Sequence, residues 1–268
     1  MKKIVIVLGI VLTFLSCSST VENNKKSLVV YYSQTGVTKQ VAEIFAQSVD
    51  ADIDSIVAVN PYNGNFEETV ARGKEEREKG ELPEIKPLTL NVADYDTIYV
   101  GSPIWFGTFA QPMIAWVKSI DLSGKVVVPF CTFGSGGLQT CSELLQANFP
   151  NATVLDGYGV RTARIAKAAQ EIEVFLIRKG IKSGALDAEL PYSEYRPLTE
   201  EEQAIFDMAC GDYPYPMGTP VKVASRKTEN ATEYIFVVES MNAEGNPTQG
   251  KVYVESNDLG AEFTSVVR

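Results

Sequence analysis

The sequence predicts an α/β fold in which a doubly wound, five-stranded parallel sheet is followed by a small α+β domain with an antiparallel sheet. Three observations predict it. Apolar runs without strict alternation, at Leu28–Tyr32, Tyr95–Gly101, Val126–Thr132 and Thr153–Val160, take turns with helical patterns, as strands buried on both faces do. Loops rich in glycine and hydroxyl side chains follow the first, third and fourth of the strands. Beyond about residue 199, one helical pattern gives way to consecutive strand patterns joined by Asn/Gly turns.

The first strand runs into Ser33-Gln34-Thr35-Gly36-Val37-Thr38, after which Val41, Ala42, Ile44 and Phe45 set a helical face. The first amides of a helix lack intrahelical acceptors and carry the positive end of its dipole, so such a loop suits a phosphate. Ser33, Thr35 and Thr38 add hydroxyl donors, and no cation appears until Lys39. The alternative is an ordinary strand-to-helix turn with a Thr cap. Neither the Lys-bearing loop of nucleotide triphosphatases nor the Gly-x-Gly-x-x-Gly of dinucleotide folds is present.

Ile53–Val59 reads as the second strand, and Phe66–Gly80 as a charged helix with a glycine stop. The third strand ends at Gly101 and is followed by Ser102-Pro103-Ile104-Trp105-Phe106-Gly107-Thr108. Two large aromatics beside Pro and Gly, at the C-terminal end of a parallel strand, suit an apolar slot for a planar ligand. Phe109–Ile120 is a helix with Pro112 in its first turn. The fourth strand ends in Thr132-Phe133-Gly134-Ser135-Gly136-Gly137, whose glycines allow close backbone approach, and this loop opens a helix over Leu138–Asn148. The fifth strand and a helix over Ala163–Lys179 close the unit. Ser183–Pro197 reads as a linker. Thr199 and Glu202 form a capping box for a helix to about Ala209, and strands follow at 221–226, 233–241, 251–256 and 262–267.

The stretch Val29, Val30, Tyr31, Ser33, Gly36, Thr38 and Ala42 resembles the flavodoxin signature, with Phe45 standing where that pattern has an aliphatic residue. The resemblance spans about Ser27–Gly180. It implies the strand order 2-1-3-4-5 and bound flavin mononucleotide (FMN). By that resemblance Ser33, Gln34, Thr35, Gly36, Val37 and Thr38 wrap the phosphate. Pro103, Ile104, Trp105, Phe106 and Gly107 form the second flavin loop, and Thr132, Phe133, Gly134 and Gly137 belong to the third. The segment Tyr213–Val223 with Glu233–Val237 is similar to cystatin-like domains of exported bacterial proteins.

Composition excludes several classes of chemistry. The chain has no histidine, so a Ser-His-Asp triad, a Cys-His pair and a His-based zinc site are all ruled out. Its formal charge of -10, with no basic stripe, argues against a nucleic-acid partner. Lys2 and Lys3 precede an apolar run from Ile4 to Leu15 that is short for a membrane span and reads as an export signal. Phe14-Leu15-Ser16-Cys17 resembles a lipobox, which implies lipidation of Cys17 and anchoring to a bacterial membrane, periplasmic or at the cell surface. Of the other cysteines, Cys131, Cys141 and Cys210, only the first two are close in sequence, and all three read as buried thiols.

The expected organisation is a signal at 1–17, a tether at 18–27, a flavodoxin-like domain at 28–180, a linker at 181–198 and a cystatin-like domain at 199–268. The expected function is an FMN-binding redox protein at the membrane, either an electron carrier or a reductase of quinones or other small acceptors. Its partner is then a redox protein or a small electron acceptor. A flavin-free scaffold whose C-terminal domain binds a protein or cell-envelope partner is the alternative. Because all three loops precede residue 182, the C-terminal unit reads as dispensable for flavin binding.

Overall fold

The computed structural model describes residues 26–63, 65–242 and 244–268, so the segment that reads as an export signal, Cys17 and most of the segment that reads as a tether lie outside the described residues. Among the described residues, no helix is long and apolar enough to cross a membrane. The first unit runs β1 (Ser27–Tyr31), α1 (Val37–Ser48), β2 (Asp52–Ser55), α2 (Phe66–Lys79), β3 (Thr97–Trp105), β4 (Thr108–Phe109), α3 (Gln111–Ser119), β5 (Val126–Phe133), α4 (Leu138–Asn148), β6 (Thr153–Val154), β7 (Tyr158–Arg161) and α5 (Ala168–Arg178). Its parallel sheet has the order β2-β1-β3-β5-β6, with β7 also pairing β5. With β6 and β7 sharing the fifth position, this is the predicted 2-1-3-4-5 order.

The break in the fifth strand has a local cause. Residues 125 and 127 turn their carbonyls toward it, accepting from the N–H groups of Thr153 and Leu155. Pro129 faces the same way and has no N–H to offer, so the ladder stops and restarts one residue out of step, at Phe130 opposite Tyr158.

Leu28, Val29 and Val30 are all fully buried, because successive residues of β1 feed opposite layers. Leu28 and Val30 join Ile98, Met113, Trp116 and Leu145 under α3 and α4. Val29 joins Val41, Phe45, Phe130, Ile172 and Leu176 under α1 and α5. The charged α2 buries only Thr69 and Gly73. It is held by an Asn65/Glu68 capping box and a left-handed Gly80 stop.

The second unit is α6 (Glu200–Cys210) against an antiparallel meander of β8 (Thr219–Lys227), β9 (Thr232–Met241), β10 (Pro247–Asn257) and β11 (Gly260–Val267), in the order β11-β10-β9-β8. The Thr199/Glu202 capping box opens α6 as the sequence indicates. Phe206, Val223, Phe236, Val252, Val254 and Phe263 make a separate core. The segment that reads as a linker is laid along β8. Ser193 N–H donates to the Ser225 carbonyl at 2.8 Å, and Arg196 N–H to that of Val223 at 3.0 Å, covering an edge that would otherwise expose unpaired backbone.

The two units meet through charges. Arg164, only 4 % exposed, binds Glu171 at 2.8 Å in its own unit, and Glu255 at 3.0 Å and Glu262 from the sheet of the second. Lys167 reaches Glu255 at 2.9 Å and Glu262 at 2.6 Å.

Candidate functional site

The three loops lie at the C-terminal ends of β1, β3 and β5, which are neighbours in the sheet, so the topology alone gathers them beside one crevice. In the first loop Gly36 takes a left-handed conformation and caps α1, and its N–H donates to Ser33 Oγ at 3.2 Å. No side chain caps α1, so its leading amides have no side-chain acceptor. Ser33 is half-buried and Thr35 exposed, each with its hydroxyl in a loop that carries no cation before the exposed Lys39.

Two residues of this loop hold structure together. Thr38 is buried, and its Oγ1 lies 2.8 Å from Thr132 Oγ1 at the end of β5, tying the first loop to the third. Gln34 Nε2 donates to Thr69 Oγ1 at 2.8 Å and to the Tyr62 carbonyl at 3.2 Å, which draws α2 toward the site. Tyr62 in turn lies edge-on to Trp105, with centroids 5.0 Å apart, and Tyr32 lies edge-on to Trp105 at 5.7 Å. A cleft of about 380 Å³ opens beside Ser33, Gln34 and Tyr62 on the β2 side of the loop.

The second loop is more regular than the sequence suggests. Strand β3 does not stop at Gly101: Ser102 and Pro103 keep their register with Cys131 and Thr132 of β5, and Ile104 and Trp105 then pair with Phe109 and Thr108 of β4. Pro103 is tolerated because its missing N–H faces the side where β1 has already ended, and its carbonyl accepts from Ala110 N–H at 3.1 Å. The connection is a two-residue hairpin turn, Phe106-Gly107, with φ of 52° and 81°. Positive φ at both positions is what such a turn requires, and at Phe106 it costs about 1 kcal/mol or more. The exposed Phe106 ring leans on α2 at Gly73.

Thr132 and Phe133 complete β5, and the third loop follows from Gly134 to Gly137. Gly137, with φ of 120°, caps α4 and presses on the second loop: a Cβ there would lie 2.7 Å from Ile104 Cγ2. Strand β4 lies against α4. Thr108 therefore sits where the second and third loops join. Among the described residues, its Oγ1 is the buried side-chain polar atom without a hydrogen-bond partner. The sequence places Thr108 in the loop but contains nothing to show that its hydroxyl lacks a partner. Tyr32 was missed for the opposite reason, since as a strand residue it reads simply as core.

The buried phenols and the buried thiol here keep their protons. Burial pushes the Tyr32 phenol up to about 12. Burial, then the hydrogen bond to Glu76, raises Tyr62 further. Burial also lifts the Cys131 thiol, with Cys141 beside it adding to the effect, and the described cysteines are free and buried, as the sequence suggests. Among the described residues no cluster of Cys, Asp and Glu could hold a metal.

This arrangement of sheet and loops is that of a flavodoxin-like α/β protein. The family model described as Flavodoxin matches residues 26–172, and the chain belongs to that family. Among solved structures, a Bacteroides uniformis protein assigned as a flavoprotein shares 29 % identity at a TM-score of 0.50, the match covering 56 % of this chain and 98 % of that one. A second, from Bacteroides eggerthii, shares 26 % at 0.49, covering 59 % and 99 %. A Lactobacillus acidophilus flavoprotein, solved in complex with FMN, shares 24 % at 0.44, covering 54 % and 99 %. The family match ends before α6 and the second sheet.

Proposed function

We propose that this protein binds FMN across the three loops and serves as a redox protein, carrying electrons to a partner protein or reducing small acceptors such as quinones. The observation that carries the reading is the orphaned Thr108 hydroxyl at the junction of the second and third loops. A buried hydroxyl without a partner costs about 1–3 kcal/mol, so it is retained where a ligand satisfies it. The other donors fit the same group. The uncapped start of α1 with Ser33 and Thr35 suits a phosphate held by neutral donors. Ile104, Trp105, Gly107 and Gly137 supply apolar surface and bare backbone for a flat ring. FMN, when bound, supplies the electron or hydride chemistry that this histidine-free chain lacks. Tyr32 and Tyr62 keep their protons and act as the apolar wall behind Trp105.

Titration with FMN, followed by quenching of flavin fluorescence, tests the reading. Wild-type protein should take up one equivalent, and an absence of uptake would favour the flavin-free scaffold. Thr108→Val should weaken FMN binding by about five- to tenfold, roughly 1 kcal/mol, while raising the stability of the flavin-free protein by a similar amount. Unchanged affinity in that variant would remove the Thr108 contact from the site. Turnover of a soluble quinone by the reduced protein then separates reductase from carrier.

We also infer an exported protein anchored by lipid at Cys17. The support is the order Lys2-Lys3, apolar run, Leu15-Ser16-Cys17. An acidic body gains little from an anionic membrane surface, so the lipid must supply the attachment. Cys17→Ser should be exported yet recovered in the soluble envelope fraction. Its continued sedimentation with membranes would overturn the anchor.

A further inference from the structure

We propose that the C-terminal unit is a working part of the flavin site: strand β11 and Arg161 set the conformation of the third loop. This rests on the FMN reading above. Three contacts carry it. Val266 N–H of β11 donates to the Ser135 carbonyl at 2.7 Å. Arg161, at the end of β7, donates from Nε to the Gly134 carbonyl at 2.8 Å and from its guanidinium to the Phe263 carbonyl of β11 at 2.9 Å. Its guanidinium also lies over the Phe263 ring, 3.3 Å from the centroid. Between these bonds the backbones approach so closely that a Cβ on Gly136 would overlap the Val266 carbonyl oxygen.

The consequence for the ligand follows from peptide planarity. A carbonyl and the N–H of the same peptide point in opposite directions. With the carbonyls of Gly134 and Ser135 turned to Arg161 and β11, the N–H groups of Ser135 and Gly136 are turned away from them. Neither N–H has an acceptor among the described residues. The loop thus presents two backbone donors whose aim is set by the second unit. The arrangement also serves β11, an edge strand whose backbone groups would otherwise be open, as β8 is covered on the far side by residues 193–196. Arg161 is a positioning residue, acting on the flavin through the Gly134 carbonyl.

Because coupling between sites is reciprocal, FMN must stabilise the docked β11 as much as β11 favours FMN. In the full-length wild-type protein, hydrogen exchange in the peptide spanning β11 should slow at least threefold when FMN is added. Unchanged exchange there in protein that has taken up FMN would overturn the inference. Arg161→Met should raise the FMN dissociation constant at least tenfold, chiefly through faster release, with riboflavin losing affinity by the same factor because the contact is not to the phosphate. Arg161→Lys should recover part of that loss. FMN binding by Arg161→Met within twofold of wild type would equally overturn it. Failure of wild-type protein to bind FMN at all would instead defeat the function proposed above, so the two failures are distinguishable.

Discussion

Replacing Arg164 with methionine should cost about 2–3 kcal/mol of stability and lower the melting temperature by roughly 5–10 °C. Arg164 is 4 % exposed and binds Glu171, Glu255 and Glu262, two of them from the second unit. Removing one partner of a buried ion pair typically costs about 3–5 kcal/mol, because the partners left behind stay desolvated and unpaired. Here the three carboxylates are 25–38 % exposed and rehydrate in part, which trims the figure. Glu255 and Glu262 also keep Lys167.

The same cluster predicts the pH dependence. Burial alone would raise Glu255, but Lys167 and Arg164 more than offset it and hold the carboxyl below its ordinary value of 4.5. A carboxylate lowered by folding stabilises fully above its unfolded value, and that contribution is lost as pH falls through the folded one. Stability from this group should therefore be constant from neutral pH to about 5 and decline below about 4.5. Scanning calorimetry of wild type and Arg164→Met across that range measures both effects. A loss under about 0.5 kcal/mol in the variant would mean that other contacts hold the units together.

What was legible in the sequence depended on whether a signal was local. Leu28, Val29 and Val30 announce a strand buried on both faces because three consecutive apolar residues fit little else beside a helix pattern. Thr199 and Glu202 mark a helix start within four residues. The end of β3 was illegible, since Pro103 reads as a breaker until one knows that its neighbour β1 stops short of it. Thr38 reads as a loop donor, but whether its hydroxyl faces a ligand or Thr132, 94 positions away, is decided by packing. The docking of the second unit was hidden for the same reason. Arg161, Arg164 and Lys167 look like solvated charges, and their partners Phe263, Glu255 and Glu262 lie about a hundred residues further on. Cofactor loops are recognisable because they are contiguous, whereas the contacts that aim them join distant parts of the chain.

Gly137→Val should weaken FMN binding by a hundredfold or more, equivalent to about 2.7 kcal/mol, the largest effect expected of any single change in the loops. Two independent costs fall on the same residue. Gly137 has φ of 120°, a conformation that a β-branched residue adopts only under strain of about 1–3 kcal/mol. Its added Cβ would also meet Ile104 Cγ2 at 2.7 Å and the Gly107 carbonyl at 3.3 Å, both in the second loop. Relief of either cost moves the loops apart or rotates the start of α4, so the ring slot and the Thr108 hydroxyl are displaced together. The core should survive, because Gly137 lies in the loop beyond the C-terminal end of β5 and the buried side chains of α4, Cys141 and Leu145, are a turn or more away. The expected signature is therefore lost flavin with a melting temperature of the flavin-free protein within a few degrees of wild type. Retained affinity within threefold would show that the contact between Gly137 and Ile104 does not shape the ring slot, and would favour the cleft beside Ser33 and Tyr62 as the place of the ring.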